Sequence, residues 1–102
     1  LMPTLTSVEA EPKFTFEGIN HRLFIEGRGF DFRKLSIDSS GGAVLKLDDL
    51  EDRLYSLLDF EEPRVIYVVS RDGSEDLILQ GCRIKSIIGN ECRLSYSKYQ
   101  AG

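Results

Sequence analysis

The chemistry open to this chain is bounded first by its side-chain inventory, which holds one histidine, His21, and two cysteines, Cys82 and Cys92. A tetrahedral zinc site would need carboxylates to complete it, and none of the usual ligand spacings is present. His21 stands beside Arg22 just after Gly18. Acid–base work needs a partner held within hydrogen-bond reach, and no serine, cysteine or metal ligand lies at a recognisable spacing from this histidine. It reads as a surface residue. Gly27, Gly29, Gly41 and Gly42 build neither a GxGxxG nor a GxxxxGK(S/T) pattern, and none separates a strand from a helix that could present its N-terminus to phosphate. They read as hairpin turns. Asp48, Asp49, Glu51 and Asp52 lack the alternating spacing and distal glutamate of a calcium loop, and read as the solvated start of a helix. No catalytic residue, metal ligand or cofactor site is expected, and the chain is expected not to be an enzyme.

The remaining candidates are basic. Arg28, Arg33 and Lys34 precede Asp38, and Arg83 and Lys85 lie near the end of the chain. With Phe30 and Phe32 facing inward, Arg33 would be exposed near Asp31. Arg83 and Lys85 would occupy the polar face of a hairpin, either as a solvated face or as a stripe that meets an acidic neighbour.

These side chains must be positioned by an alternating, strand-rich chain. Residues 1–12, with Pro3, Thr4, Thr6, Ser7 and Pro12, read as an N-terminal arm, and residues 13–102 as a single β domain. Lys13 to Glu17 alternates apolar and polar with both rings on one face. Gly18-Ile19-Asn20 supplies a turn, Arg22 to Glu26 a short strand, and Gly27-Arg28-Gly29 a tight reversal. Phe30, Phe32, Leu35 and Ile37 continue the pattern with a change of parity that predicts a bulge or bend. Asp38 to Gly42 is a turn and Ala43 to Leu47 a strand. The period then switches to that of a helix: Leu47, Leu50, Leu54, Leu57 and Leu58 share one face, an aspartate caps the start and Pro63 ends it, which predicts a helix over about 48–59. Leu50, Leu54, Leu57 and Leu58 should pack on a sheet containing Val65 to Val69, Ile84 and Leu94. The unbroken β-branched run Val65 to Val69 predicts a central strand covered on both faces.

The final hairpin constrains the cysteines. A two-residue loop at Gly89-Asn90 would pair Ile84 with Ser95 and scatter apolar groups over both faces. A three-residue loop at Ile88-Gly89-Asn90 pairs Ile84 with Leu94 and collects Cys82, Ile84, Cys92, Leu94 and Tyr96 on one face, which favours it. Cys92 then lies opposite Ser86, roughly 13 Å along the strand from Cys82. A disulfide needs Cα atoms within about 7 Å, so two free, buried thiols are expected.

Composition narrows the class further. The 102 residues are 41% hydrophobic and 29% charged, a balance that suits one globular domain rather than a disordered segment. A net charge of −4 argues against direct nucleic-acid binding, which draws its affinity from cations on phosphates. No apolar run approaches the ~18 residues of a membrane span, and Leu1 to Glu11 lacks the basic start and apolar centre of a signal peptide. A cytoplasmic or virion-associated location is expected.

Three resemblances bear on these patterns. Asp38-Ser39-Ser40-Gly41-Gly42 resembles, one residue short, the DxSxxG element of PilZ domains. That likeness implies a regulatory β-barrel that binds a cyclic dinucleotide through Arg28, Arg33, Asp38 and Ser40. Leu23 to Phe30 resembles the opening of an IPT/TIG domain, a fold in which the later helix has no place. The likeness to phage tail-tube and type VI secretion tube proteins covers more, about residues 19–97. Arg22-Leu23-Phe24-Ile25-Glu26-Gly27 followed by Phe32-Arg33-Lys34-Leu35 is similar to a tail-tube opening. Leu54 to Leu58, Val65 to Asp72, and Leu77 to Ile84 are similar to its later elements in kind and order. This chain is shorter than most tube subunits and lacks room for their long assembly loop, which leaves tail-completion, adaptor or connector proteins of similar architecture. The resemblance implies an antiparallel β-sandwich or split β-barrel of six to eight strands with one helix. It also implies a non-enzymatic structural or assembly component that oligomerises or meets neighbouring structural proteins.

Overall fold

A computed structural model describes residues 12–48, 58 and 61–102. Nine strands fill it: β1 (Pro12–Glu17), β2 (His21–Ile25), β3 (Arg28–Phe30), β4 (Lys34–Asp38), β5 (Gly42–Lys46), β6 (Arg64–Ser70), β7 (Glu75–Ile88), β8 (Glu91–Ser95) and β9 (Lys98–Ala101). All pairings are antiparallel, and the sheet runs β1-β4-β5-β8-β7-β6-β2-β3, with β9 paired to β7. The predicted helix over 48–59 falls almost wholly outside the described residues. Of its four core leucines, Leu50, Leu54 and Leu57 lie outside them, whereas Leu58 is described and buried in the core.

The 14-residue β7 organises the sheet. Its first half pairs with β6 on one edge and β9 on the other, and its second half pairs with β8. Gly81 marks the change, with a φ of 71° that L side chains rarely adopt. Ser97 packs against Gly81 and bonds the Gln80 carbonyl through both its amide, at 2.8 Å, and its hydroxyl, at 3.0 Å. That contact separates β8 from β9, which helps bring the total to nine strands rather than six to eight. The register is the same on both sides of the break, from Ile84↔Leu94 to Leu77↔Ala101.

The hairpin register differs from expectation near its turn. The loop is the two-residue Gly89-Asn90, with Ile88 opposite Glu91 and Cys92 opposite Ile87 rather than Ser86. The positive φ at Gly89, 60°, meets the requirement of a II′ turn for glycine at its first central position. A bulge between Ile84 and Ser86 absorbs the extra residue and restores the Ile84↔Leu94 pair. The apolar face therefore survives the short turn: Cys82, Ile84, Cys92 and Leu94 are all buried and both thiols are free.

Strand alternation builds the core from both halves of the sheet. Leu23, Ile25, Ile66, Val68, Leu77 and Leu79 come from β2, β6 and the first half of β7, while Leu35, Ile37, Ala43, Leu45, Cys92 and Leu94 come from β4, β5 and β8. Phe30 ends β3, and Phe32 is buried in the connection to β4, so the predicted parity change is the crossing from one half to the other. Phe14 of β1 meets Tyr99 of β9 edge-on at 5.4 Å between ring centroids, although the two strands share no hydrogen-bonded pairing. Rings, not backbone ladders, bridge that seam. β6 corrects a further expectation. It is flanked by β2 and β7, but only its inner face is covered: Val65 is 38% exposed, and Tyr67 and Val69 are half-buried on the outside.

Candidate functional site

His21 opens β2 and is not a free surface histidine. Its Nε2 lies 2.7 Å from Asp76 Oδ2, its ring packs edge-on against Phe16 at 5.0 Å, and its side chain is 15% exposed. Nδ1 is buried with no hydrogen-bond partner among the described residues. The partner comes from 55 residues away, which is why sequence spacing concealed it. One ring nitrogen is held by the carboxylate and the other is sealed from solvent, so neither is presented to a substrate as a general base would be. Ser70, directly across the β2–β6 ladder from His21, donates its hydroxyl to Asp72 instead. Asp72 also accepts from the Ser74 amide at 3.0 Å and the Ser74 hydroxyl at 2.8 Å. These hydrogen bonds, that of Ser70 foremost, hold its carboxyl at about 2. The polar side chains of this turn are thus spent on the turn itself.

Arg71 ties the same end of the molecule together. Its guanidinium donates to the carbonyls of Gly18 at 2.9 Å and Ile19 at 3.3 Å, and its amide donates to Asn20 at 3.0 Å. Asp31 lies 3.1 Å from Arg22 Nε and 3.6 Å from Arg71, while Arg33 is exposed and pairs with Asp48 at 3.7 Å. A cleft of about 470 Å³ sits among Glu17, Asp31, Arg33, Asp48 and Arg71.

The four residues of the cyclic-dinucleotide reading occupy separate places. Arg28 is exposed on the end strand β3, opposite Ile25. Arg33 precedes β4, whose far end is Asp38, about 13 Å of strand away from Lys34. Asp38 and Ser40 do meet, within their own loop. Asp38 Oδ1 accepts from the Ser40 amide at 2.8 Å, the Ser40 hydroxyl at 3.0 Å and the Gly42 amide at 2.8 Å. Tyr96 donates its hydroxyl to the Asp38 carbonyl at 2.7 Å, pinning the loop to the chain beyond β8. Lys85, at the bulge of β7, and Arg93 share a cleft of about 320 Å³ with Asp38. The other candidate cation of that hairpin, Arg83, donates to the Glu61 carbonyl at 2.7 Å.

Sequence reasoning missed the outer face of β2 and β6, where Phe24 and Tyr67 stand opposite each other in register. The signal was present in Val65 to Val69, whose alternate members had to face outward once β6 was covered on one side only. Among the described residues, no three His, Cys, Asp or Glu side chains gather as a metal-binding set, and no helix is long and apolar enough to cross a membrane. Compared with known proteins, the chain matches no family model, no curated protein and no solved structure.

Proposed function

We propose that the chain is a non-enzymatic structural or assembly component that oligomerises through its sheet edges, in the manner of small phage-tail or injection-machine proteins. One observation carries the reading. Among the described residues, β3 ends the strand order with β2 as its hydrogen-bonded neighbour, and β1 and β9 meet through rings rather than a backbone ladder, so the sheet is not closed by hydrogen bonds. An unpaired edge is a template for another chain, and proteins that do not use it blunt or cover it. Assembly with copies of itself, or with neighbouring structural proteins, would satisfy those groups in a repeating way. The pairing of His21 Nε2 with Asp76, the burial of its Nδ1 and the self-contained Ser70–Asp72–Ser74 turn support a role without catalysis. In finer terms the fold is read as a split barrel or sandwich, with the helix over about 48–59 beside it, in a cytoplasmic or particle-associated protein. The scatter of Arg28, Arg33 and Asp38 leaves the cyclic-dinucleotide reading with less support. Light scattering coupled to size exclusion tests the proposal: a concentration-dependent or closed oligomer is expected, and a strict monomer from micromolar to millimolar concentration would overturn it.

A further inference from the structure

The outer face beside β6 carries chemistry that the assembly reading does not use. Alternation that buries Leu23, Ile25, Ile66 and Val68 turns Phe24, Tyr67 and Val69 outward, and the register sets Phe24 against Tyr67 and Tyr67 against Ile78. A groove of about 540 Å³ lies over this row, between the turns at Gly27 and Gly73, with Glu75 lining it. Gly27 and Gly73 have φ values of 77° and 98°, and a Cβ at either would meet nothing within 4 Å, so both turns leave open space at the groove. Glu75 is exposed and makes no ion pair among the described residues, unlike Glu26, which pairs with Arg64 at 3.2 Å, and Asp76, which holds His21. The Phe24 ring already attracts a guanidinium, that of Arg22, 5.7 Å from its centroid.

We infer that this groove is a docking site for a lysine or arginine side chain presented by a partner protein. The apolar stem of such a side chain would lie on Val69, and its charged head would meet the Tyr67 ring and the Glu75 carboxylate. An anionic occupant would face that carboxylate on a chain whose net charge is −4. The inference stands whether or not the chain oligomerises.

Amide-resolved NMR titration of the full chain with a capped Gly-Lys-Gly tripeptide tests it. Weak binding is expected, on the order of millimolar, as suits one exposed side chain. Shifts should concentrate at Phe24, Gly27, Tyr67, Val69 and Gly73, and a peptide with norleucine in place of lysine should bind several-fold less well. Glu75→Gln should weaken the lysine peptide about threefold and leave the norleucine peptide unchanged. Tyr67→Leu, which keeps the apolar floor, should weaken the lysine peptide through loss of the π face. Four results would overturn the inference. These are no shifts at the groove, equal binding of the two peptides, preference for a glutamate peptide, and binding of butylammonium as tight as that of the lysine peptide, which would reassign the groove to small amines.

Discussion

His21 Nε2 and Asp76 Oδ2 lie 2.7 Å apart, joining the first residue of β2 to the start of β7 across the edges of β6. The bond is half-buried, and it belongs to the architecture of the sheet. A partly buried hydrogen bond to a charged group contributes on the order of 1 kcal/mol, and its loss leaves the imidazole with two unmatched nitrogens. Asp76→Ala should therefore lower unfolding stability by about 1 kcal/mol at neutral pH. In urea unfolding, the single and double variants with His21→Ala should show non-additive losses, because the two residues share one interaction. Additive losses would show that the pair is not coupled.

Gly18 and Gly27 are required for different reasons. Gly18 is buried, and a Cβ there would overlap the backbone carbonyl of Phe32, which cannot swing away as a side chain could. Gly27 has open space but a φ of 77°. Gly18→Ala should cost about 2–3 kcal/mol through a forced backbone shift. Gly27→Ala should cost about 1 kcal/mol through conformational strain alone. Thermal unfolding of the two variants should reproduce that order, and a larger loss at Gly27 would contradict it.

The thiols should be silent in the native protein. Burial pushes Cys82 up to about 12 and Cys92 up to about 11, against 9.0 for a free thiol. A thiol reagent at pH 8 should label neither cysteine until denaturant is added. The sign of the pH dependence follows from the shift. Between about pH 9 and 12 the unfolded chain releases thiol protons that the folded chain keeps, Cys92 up to about 11 and Cys82 up to about 12, so stability is complete below pH 9 and falls as pH rises through that window. Replacing both cysteines with alanine should flatten the part of the alkaline decline that they cause. An unchanged slope would assign it to other groups.

Asp38 organises the β4–β5 loop through one oxygen. Desolvation works to raise its pKa, but the amides of Gly42 and Ser40, the Ser40 hydroxyl and the nearby charge of Lys85 together hold it below 3.8. A lowered carboxylate stabilises the fold above the unfolded pKa, and that contribution is lost as pH falls through the folded value. Asp38→Ala should cost about 1–2 kcal/mol at pH 7, because two loop amides lose their acceptor. The deficit should shrink below pH 4, measured as the difference in urea midpoint between wild type and variant. Tyr96→Phe, which removes the 2.7 Å bond to the Asp38 carbonyl, should cost about 1 kcal/mol at both pH values.

Local pattern alone located most of the strands and most of the core. The alternation of Leu35 and Ile37, and of Cys92 and Leu94, assigned each to the interior, because the pleat gives successive side chains opposite faces. The Asp38 and Gly89 turns were equally legible, since their residue types suit few other conformations. Register near the last turn was not, because the two-residue loop and the Lys85 bulge compensate each other and either alone would have scattered the apolar face. The surface chemistry was also hidden. Asp76 reaches His21 from 55 residues away, and the exposed row of Phe24 and Tyr67 exists only because β6, whose composition suits a strand buried on both sides, is covered on one. Sequence thus determined which way the alternating strands face, a property of neighbouring residues. Tertiary structure decided which strands meet and which faces stay open, because those depend on pairings between distant segments that local periodicity does not encode.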